Sequence, residues 1–426
     1  MRGSCLLSLL LALPALSQVP ADGDVARGAG DWTDWRVRSL RCVGLQHTDS
    51  TVILRELELT PGVGYSDALL EADAQAVKNT NLFARLVVSV NPDSVEEAVD
   101  VVYAVNERPR WLAYPILTPT ERLGLVYGFG LMNRNLGGLG RRLDLEAEYG
   151  EHLSYSLYLQ EPWLLGRRQP VYFYVNRKSS VPADESYRRL SKEVRLGWSH
   201  HFDRETRFGL HPFWQEITES NHRAGAEPHT LNRLGLDVFG GLGLSLEHNS
   251  TDYHANPRRG GVEQAGLSAF GLAGPDHPAG LSAHAGASRF FPLPAELVLG
   301  LNLATDVTLG HRAAYMKHYL GGRTRVRAGE STRWPGWSLV NGGIELRAPL
   351  LARRVYFQHI DFGVGLVAFA DGGLVWRDEF HGRLLAAGGA GLGLRLFAPF
   401  IEVGRADLSW SPSHGLLLQI GQGHAF

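Results

Sequence analysis

The residue types that carry most enzyme chemistry are present in this chain, but they do not form a known catalytic motif. The sequence contains no His-Glu-x-x-His, Gly-x-Ser-x-Gly, Walker loop or Cys-x-x-Cys. Its 17 histidines are scattered, and the adjacent pair His200-His201 would point to opposite faces of a strand, which makes a poor metal site. The run from Gly389 to Gly393 lacks the Gly-x-Gly-x-x-Gly spacing that a dinucleotide site needs. The sequence therefore predicts no enzyme, no metal site and no cofactor.

The charge balance argues against nucleic-acid binding. With 42 Lys and Arg against 44 Asp and Glu, the formal net charge is −2 and the pI is about 6.8, so the basic excess of a nucleic-acid binder is missing. A length of 426 residues favours two units. The 50 glycines suit a β-protein with many turns and closely packed strands.

The first residues are typical of a secretory signal peptide. Arg2 supplies a positive start, Leu6 to Leu16 an apolar core, and Ala15-Leu16-Ser17 a small-residue cleavage site. Residues 1–17 are therefore predicted to be removed. Residues 18–34 are small, polar and aperiodic, which predicts a linker.

Residues 35–108 predict a small α+β domain with the order β-α-α-β-β. The predicted elements are a strand from Val37 to Val43, a helix through about Leu59, a helix capped by Ser66, and strands Phe83–Val90 and Ala98–Asn106 around a turn at Asn91-Pro92-Asp93. Cys42 would be the sole cysteine after processing, so no internal disulfide is expected, and we interpret it as a small core residue.

From Leu123 onward, alternation of apolar and polar residues replaces helical periodicity. Leu143, Leu145, Ala147 and Tyr149 alternate with Asp144, Glu146, Glu148 and Gly150, and similar runs begin near Val194, Leu242, Leu297 and Leu392. Segments of about ten residues that repeat in this way over roughly 300 residues are the signature of a transmembrane β-barrel. Residues 109–426 are therefore predicted to form an antiparallel barrel of about 16 strands, at about twenty residues per strand and loop.

Two further observations favour a membrane barrel over its alternative, a soluble β-sandwich or barrel. No segment reaches ~18 apolar residues without a charge, so an exported chain that enters a membrane must do so as a closed sheet. Aromatic residues also cluster at segment ends, which predicts interfacial girdles. They are Tyr114, Trp163, Tyr172, Phe213, Trp214, Phe290, Phe291, Trp376 and Trp410.

A series of short motifs in the N-terminal region resembles a POTRA domain. In chain order they are Leu40-Arg41-Cys42-Val43-Gly44, Thr60-Pro61-Gly62, Tyr65-Ser66, Asn79 to Phe83, and Asn106-Glu107-Arg108-Pro109. Their order is more specific than any single motif. The resemblance implies one POTRA domain in front of the barrel.

The rest of the chain resembles the BamA/TamA family of outer-membrane assembly and translocation proteins, of the bacterial surface antigen type. The earlier motifs are Gly128-Phe129-Gly130 with Asn135 to Gly140, Glu161-Pro162-Trp163, and Asp252 to Gly261. The most specific is Tyr319-Leu320-Gly321-Gly322 followed by Val326-Arg327-Ala328-Gly329, which is similar to the family's long-loop motif Val-Arg-Gly-aromatic and departs from it at Ala328-Gly329. Phe369-Ala370-Asp371-Gly372-Gly373 is similar to the strand motif Phe-x-Asp-x-Gly, and Phe426 resembles the terminal residue of such barrels.

The resemblance implies that the loop carrying Arg327 folds back into the lumen and that Arg327 meets Asp371 on the barrel wall. A guanidinium can engage a carboxylate through two parallel hydrogen bonds, which fixes its orientation. The alternative is that Arg327 is a loop-tip charge in water.

Glycines near both ends of the barrel predict a weak seam. Gly128 and Gly130 are placed in the first strand, and Gly421 and Gly423 in the last. Because Gly weakens a strand interior, this seam would open more easily than other ladders. In the family it is a lateral gate at which client strands pair with an exposed edge. The alternative is that these glycines only accommodate barrel curvature.

The resemblance implies an outer-membrane assembly factor that inserts or translocates β-barrel or surface proteins without nucleotide hydrolysis. Its expected partners are outer-membrane lipid, unfolded protein clients, and periplasmic chaperones or accessory lipoproteins, but no nucleic acid. The expected location is the outer membrane of a Gram-negative type bacterium, with the POTRA domain in the periplasm. The alternatives are a dedicated secretion transporter for one partner protein and a passive structural or diffusion barrel.

Overall fold

The computed structural model describes residues 25–26, 32–33, 35–120, 124–150, 153–180, 187–220, 229–271, 276–330, 333–356, 360–378, 380–398 and 403–426. The predicted signal peptide, residues 1–17, and most of the predicted linker, residues 18–34, lie outside these ranges. None of the described helices is long and apolar enough to cross a membrane.

The N-terminal unit is a small α+β domain with its own core. Its elements are β1 (Val25–Ala26), β2 (Arg36–Val43), α1 (Thr51–Leu54), α2 (Asp67–Asn79), β3 (Phe83–Asp93) and β4 (Ala98–Glu107). The sheet order is β1-β3-β4-β2, with β2 parallel and β3 antiparallel to β4. One face of α2 buries Leu70, Ala74 and Val77 against the sheet. The predicted α+β order is confirmed, with β1 as an addition from the predicted linker.

Two predicted boundaries in this unit are wrong. Helix α1 ends at Leu54 rather than near Leu59, because the N–H groups of Glu58 and Leu59 donate to the buried carboxylate of Asp73 at 2.9 Å instead of continuing the helix. The predicted turn at Asn91-Pro92-Asp93 is the end of β3. The chain reverses after Asp93, whose carboxylate accepts the N–H of Val95 at 3.1 Å.

The remainder of the chain is a 16-stranded antiparallel sheet in which neighbours in sequence are neighbours in space. Its strands are β5 (Trp111–Thr120), β6 (Gly124–Leu136), β7 (Arg141–Tyr149), β8 (Leu153–Glu161), β9 (Val171–Ser180), β10 (Arg188–His201), β11 (Thr206–Ser220), β12 (Leu236–Asn249), β13 (Gly260–Gly271), β14 (Ala279–Pro292), β15 (Val298–His311), β18 (Ser338–Tyr356), β19 (Ile360–Trp376), β20 (Leu384–Phe397), β21 (Gly404–Ser411) and β22 (Gly415–Gln422). The loop between β15 and β18 holds a short 3₁₀ turn (Ala314–Met316) and the small hairpin β16 (His318–Tyr319) and β17 (Pro335–Gly336). The prediction of about 16 strands is confirmed.

The two faces of this sheet differ as the alternation predicts. Leucines such as Leu392, Leu394 and Leu408 are exposed on the outer face, while Arg395 and Asp407 are buried on the inner face. An outer face of this kind suits lipid, and the inner face forms a polar lumen.

Part of the predicted aromatic girdle is wrong, because four of its members face the lumen, among them Phe213, whose ring packs on that of Phe239. Tyr114 donates a 2.7 Å hydrogen bond to Glu146, and Tyr172 lies 3.1 Å from His211. Phe290 is buried and stacks on the ring of Phe426 at 6.4 Å between centroids. Aromatic character alone does not distinguish an interfacial side chain from one that fills the barrel.

Candidate lumenal site and strand seam

The loop between β15 and β18 is held inside the barrel by a small apolar cluster. Val326 and Leu320 from the loop are fully buried against Leu339 and Val375 of the wall. The predicted glycines shape the turn between them. Gly321 bridges to Val326. Gly322 has φ +123°, a region that favours glycine, and its N–H lies 3.2 Å from the Val326 carbonyl and 3.0 Å from the Gly329 carbonyl.

The structure brings Arg327 and Asp371 together. Arg327 is fully buried, and its Nε and a terminal nitrogen each lie 2.7 Å from a different carboxylate oxygen of Asp371. The backbone N–H of Arg327 adds a third bond to Asp371 at 3.1 Å. This bidentate geometry fixes the orientation of a guanidinium as well as its position. The loop is therefore joined to β19 by both its side chain and its backbone.

The remaining nitrogen of Arg327 contacts Glu345 on β18, a residue that the sequence did not single out. Glu345 is fully buried and also accepts from Nε of Arg347 at 2.8 Å. Arg395 lies 3.6 Å from Glu345 and 2.5 Å from Asp407. The cluster thus continues around the inner wall from β18 to β21.

Arg405 lies 3.8 Å from Asp407 and belongs to the same cluster. The cluster therefore contains four arginines and three carboxylates and has a formal charge of +1. Buried ions remain charged only when they are paired and hydrogen-bonded. Among the described residues Arg327 is the only cation paired with Asp371, so the loop arginine completes the network by pairing this carboxylate. The sequence signal for these partners was weak. Each is a single charged residue at an inward-facing position of a Gly- or Leu-rich strand.

The predicted strand motif provides space and a stacking surface for the loop. The guanidinium carbon of Arg327 lies 3.6 Å from the ring centroid of Phe369, a cation–π contact. A Cβ at Gly373 would come within 2.6 Å of the Leu320 side chain. A Cβ at Gly389 would come within 2.2 Å of Ala328. Small residues on the wall therefore let the loop approach the backbone closely.

The tip of the loop is fastened to the last two strands through three consecutive carbonyls. Ser409 donates to the carbonyl of Arg327 at 2.9 Å, Ser411 to that of Ala328 at 3.0 Å, and Gln419 to that of Gly329 at 3.1 Å. A loop that connects β15 to β18 is thereby tied to β21 and β22.

The departure from the family motif at Ala328-Gly329 has a structural counterpart. A Cβ at Gly329 would lie 2.2 Å from the ring of Trp334, so an indole from later in the loop lies directly over this position. Trp334 has φ +54°, which turns it back over the tip. Trp334 therefore supplies, from later in the loop, the aromatic ring that the family motif has next to its glycine.

Within the described strands, no ladder joins β5 and β22, so the sheet has two free edges. The Arg134 N–H donates to the carbonyl of Arg110, which makes residues 110 and 134 a hydrogen-bonded pair. In an antiparallel ladder, hydrogen-bonded pairs alternate with pairs that are not hydrogen-bonded. The even-numbered residues of β5 therefore bond to β6, and the odd-numbered residues point their backbone N–H and C=O groups at the free edge. Pro115 and Pro119 are among them, and neither has an N–H to donate.

The prediction that Gly128 and Gly130 lie in the first strand is wrong. They lie in β6, and the first strand is β5, whose two prolines concealed it because Pro argues against a paired strand. Gly130 is covered by the ring of its partner Tyr114, which a Cβ would approach to 2.2 Å. A Cβ at Gly128 would lie 2.2 Å from the carbonyl of Ala147.

The last strand carries the other predicted seam residues. Gly421 lies in β22 and faces the lumen, and Gly423 follows the strand with φ +78°. The Gly423 N–H donates to the carbonyl of Val403 at 2.8 Å, so odd-numbered residues of β22 bond inward to β21. The even-numbered residues, among them Leu418 and Ile420, point their backbone groups at the free edge.

Phe426 lies past the last strand, inside the barrel. Its ring stacks on Phe290, and the guanidinium of Arg347 lies 4.9 Å from the Phe290 ring centroid and 5.7 Å from that of Phe426. Arg347 also donates to the Phe426 carbonyl oxygen at 3.3 Å. The last residues therefore contact the same charged cluster that holds the loop.

The N-terminal unit contacts the turn that connects β6 to β7. Asn135 donates to the Thr48 hydroxyl at 2.8 Å, and the Asp49 N–H donates to the Gly138 carbonyl at 2.9 Å. Arg55 donates to the Leu139 carbonyl at 3.1 Å. These bonds fix the unit beside the first hairpin of the barrel.

Two further turns extend this junction. The indole N–H of Trp163 donates to Glu56 at 3.0 Å. Arg204 contacts the buried carboxylate of Asp73, lies 2.9 Å from Glu58, and donates to the Glu56 carbonyl at 3.0 Å. Three turns of the sheet thus hold one face of the N-terminal unit.

Comparison with known proteins decides the family. Residues 135–411 match the Omp85 superfamily domain, and residues 36–108 match a POTRA domain described as a surface antigen variable number repeat. The chain belongs to the Omp85 superfamily. Members of this superfamily insert or translocate proteins at the outer membrane.

Solved structures share the fold at low sequence identity. BamA from Haemophilus ducreyi lacking POTRA domains 1–3 is 17% identical, with a TM-score of 0.54 over 91% of this chain and 83% of that one. CdiB from Escherichia coli is 14% identical, with a TM-score of 0.63 over 92% and 75% of the two chains. CdiB from Acinetobacter baumannii is 16% identical, with a TM-score of 0.54 over 92% and 72%. No curated protein matches this chain.

Proposed function

We propose that this Omp85 protein is an outer-membrane assembly factor that inserts or translocates β-barrel or surface proteins without nucleotide hydrolysis. The observation that carries the proposal is the pair of free edges, β5 and β22, in a sheet whose outer face is apolar. Unpaired backbone groups in hydrocarbon cost several kcal/mol each, so a strand added from a client would be favourable without any other energy source.

The arrangement of the other parts supports the same role. The POTRA domain has β2 at the edge of its sheet. Residues 62–65 already bond to this edge around Val37, and its remainder from Ser39 to Val43 can receive an extended chain by strand addition. Its contacts with three turns hold it at one end of the barrel. In the proposed orientation this end faces the periplasm, where unfolded clients arrive, delivered by chaperones or by accessory lipoproteins.

The lumenal loop has a distinct task in this proposal. It ties β18 and β19 to β21 and β22 through Arg327 and the three tip carbonyls. This holds the wall near the last strand in shape while the edge itself stays unpaired. Arg327 and Asp371 are thus positioning residues for the seam.

Depletion of the protein in its host, followed by quantitative proteomics of the outer membrane, tests the proposal. Many barrel proteins should fall together and accumulate unfolded in the periplasm. Loss of one secreted or surface protein would instead indicate a dedicated secretion transporter, and loss of nothing else a passive barrel. Complementation with wild type should restore the profile, as should Arg333→Ala, which changes an exposed arginine of the same loop.

A further inference from the structure

Arg323, an exposed residue of the lumenal loop, reaches the free edge of the last strand. Its guanidinium donates to the carbonyl of Ile420 at 3.0 Å. Ile420 is an even-numbered residue of β22, so this carbonyl belongs to the edge beside which none of the described strands lies. Arg405 donates to the backbone carbonyl of Arg323 and anchors the loop at the base of this side chain.

Gly421 makes this contact possible. The residue faces the lumen, and the Arg323 side chain crosses the strand directly above it. A Cβ at Gly421 would lie 2.7 Å from a terminal nitrogen of Arg323 and 3.1 Å from its Cδ. Any larger residue here would therefore displace the guanidinium from the carbonyl.

We propose that Arg323 is a removable cap on the free edge of β22, displaced when an extended segment of a client pairs with that edge. An added antiparallel strand would present a backbone N–H to the Ile420 carbonyl, which is the acceptor that Arg323 occupies. The cap satisfies this carbonyl in the resting protein and disfavours pairing with strands that bind weakly. This inference rests on the proposed function and adds a residue that sets the threshold for strand addition.

The sequence offers a direct readout of the cap. Ile420-Gly421 is the sole Ile-Gly dipeptide of the chain. Full-length protein in lipid nanodiscs, labelled with carbonyl-¹³C isoleucine and ¹⁵N glycine, therefore gives one NMR signal that correlates the Gly421 amide with the Ile420 carbonyl carbon. Arg323→Ala should move this carbonyl resonance upfield, because a hydrogen bond is lost. Arg333→Ala, the matched removal of an exposed loop arginine, should leave it in place.

Displacement is tested with a synthetic peptide that copies β5, residues 111–120, and carries Pro115→Ala and Pro119→Ala, so that the added strand can pair with β22 and donate an N–H at each edge position. It should bind Arg323→Ala about tenfold more tightly than wild type, as expected for removal of a competing charge-assisted hydrogen bond. Gly421→Ala keeps Arg323 but places a methyl group where its side chain crosses the strand. The Gly421→Ala protein should therefore bind the peptide with the same affinity as the Arg323→Ala protein. The double variant should bind no more tightly than either one.

Three results would overturn the proposal. An Ile420 resonance that is unchanged in Arg323→Ala would show that no cap exists. Equal peptide affinity for wild type and both variants would show that the cap does not compete with strand addition, and so would an absence of peptide binding to all of them. If the resonance moves and the peptide affinities differ as expected while purified protein inserts no unfolded barrel client into vesicles, the cap stands and the assembly function fails.

Discussion

Arg327 illustrates how much of the lumenal site depends on a single side chain. It is the sole loop residue that contacts both Asp371 and Glu345 among the described residues, and both carboxylates are buried. Arg327→Ala would leave the buried Asp371 without its cationic partner, while Glu345 would keep Arg347. Stranding one buried charge in this way typically costs roughly 3–5 kcal/mol. We expect the variant to unfold at lower urea concentration, measured by the heat-dependent gel mobility of the barrel.

Arg333→Ala serves as the control for Arg327→Ala, since it removes the same charge from an exposed position in the same loop. Arg327→Lys should be intermediate, because an ammonium keeps the charge but cannot form the two parallel bonds to Asp371. If Arg327→Ala and Arg333→Ala unfold at the same urea concentration, the buried cluster does not stabilise the barrel.

Glu107 gives a pH-dependent prediction in the POTRA domain. Burial raises the pKa of Glu107, but the N–H groups of Gln46, His47 and Thr48, at 2.8–3.1 Å, outweigh it, and the net pKa lies below the ordinary 4.5. A lowered folded-state pKa means that the carboxylate stabilises the fold above the unfolded-state value, and that this contribution is lost as the pH falls toward the folded value. Glu107→Gln should therefore destabilise the domain at pH 7 by about 1–3 kcal/mol and have little effect in strong acid.

Hydrogen exchange of residues 44–51, compared between the full-length wild type and Glu107→Gln at each pH, measures this difference. Asp49→Asn is a useful comparison, because Asp49 also has a lowered pKa but is exposed and bonds to the neighbouring Thr51. A Glu107→Gln effect that is the same at pH 7 and in strong acid would mean that the carboxylate charge plays no part.

At the scale of elements, the sequence predicted those features that repeat locally. Leu392, Leu394 and Leu396 face outward at every second position, and this spacing is sufficient to predict a strand. The sequence does not predict the first strand, β5, because its prolines remove that signal. It predicts too long a helix α1, because Asp73, distant in sequence, accepts the N–H groups that would continue the helix. Glu345 could not be singled out, because its partners come from a loop and two strands that meet only after the sheet folds.

The prolines of β5 make a prediction at this scale. Pro115→Ala together with Pro119→Ala would return two N–H donors to the free edge of the first strand. Each new hydrogen bond contributes about 0.5–1.5 kcal/mol, so we expect β5 and β22 to pair more often. The amides of residues 416–422 should exchange more slowly, and client insertion should slow because the edges are occupied.

Pro292→Ala is the matched control, since Pro292 ends β14 far from the seam and pairs with Val298. It should alter neither the exchange of residues 416–422 nor insertion. Unchanged exchange in the double proline variant would indicate that the seam is kept apart by the loop and its contacts rather than by missing donors.

At the scale of the whole molecule, the junction between the POTRA domain and the barrel depends on Arg204. This side chain reaches from the turn between β10 and β11 to Asp73, Glu58 and the Glu56 carbonyl. Asp73 also accepts two backbone N–H groups within the POTRA domain, so the domain should keep its fold when Arg204 is removed. The remaining contacts of the junction are mostly single hydrogen bonds, which are each worth little.

Arg204→Ala should therefore release the POTRA domain from one orientation without unfolding it. Spin labels at Val95 and Leu165, whose side chains are 94% and 91% exposed, report the distance between the two units by pulsed EPR in a Cys42→Ser background. We expect a single narrow distance distribution in the unsubstituted junction and a broad one in Arg204→Ala. Arg207→Ala removes a neighbouring arginine that pairs with Glu247 within the barrel, and should leave the distribution narrow. A distribution that stays narrow in Arg204→Ala would place control of this orientation in the β6–β7 turn, where Thr48 meets Asn135.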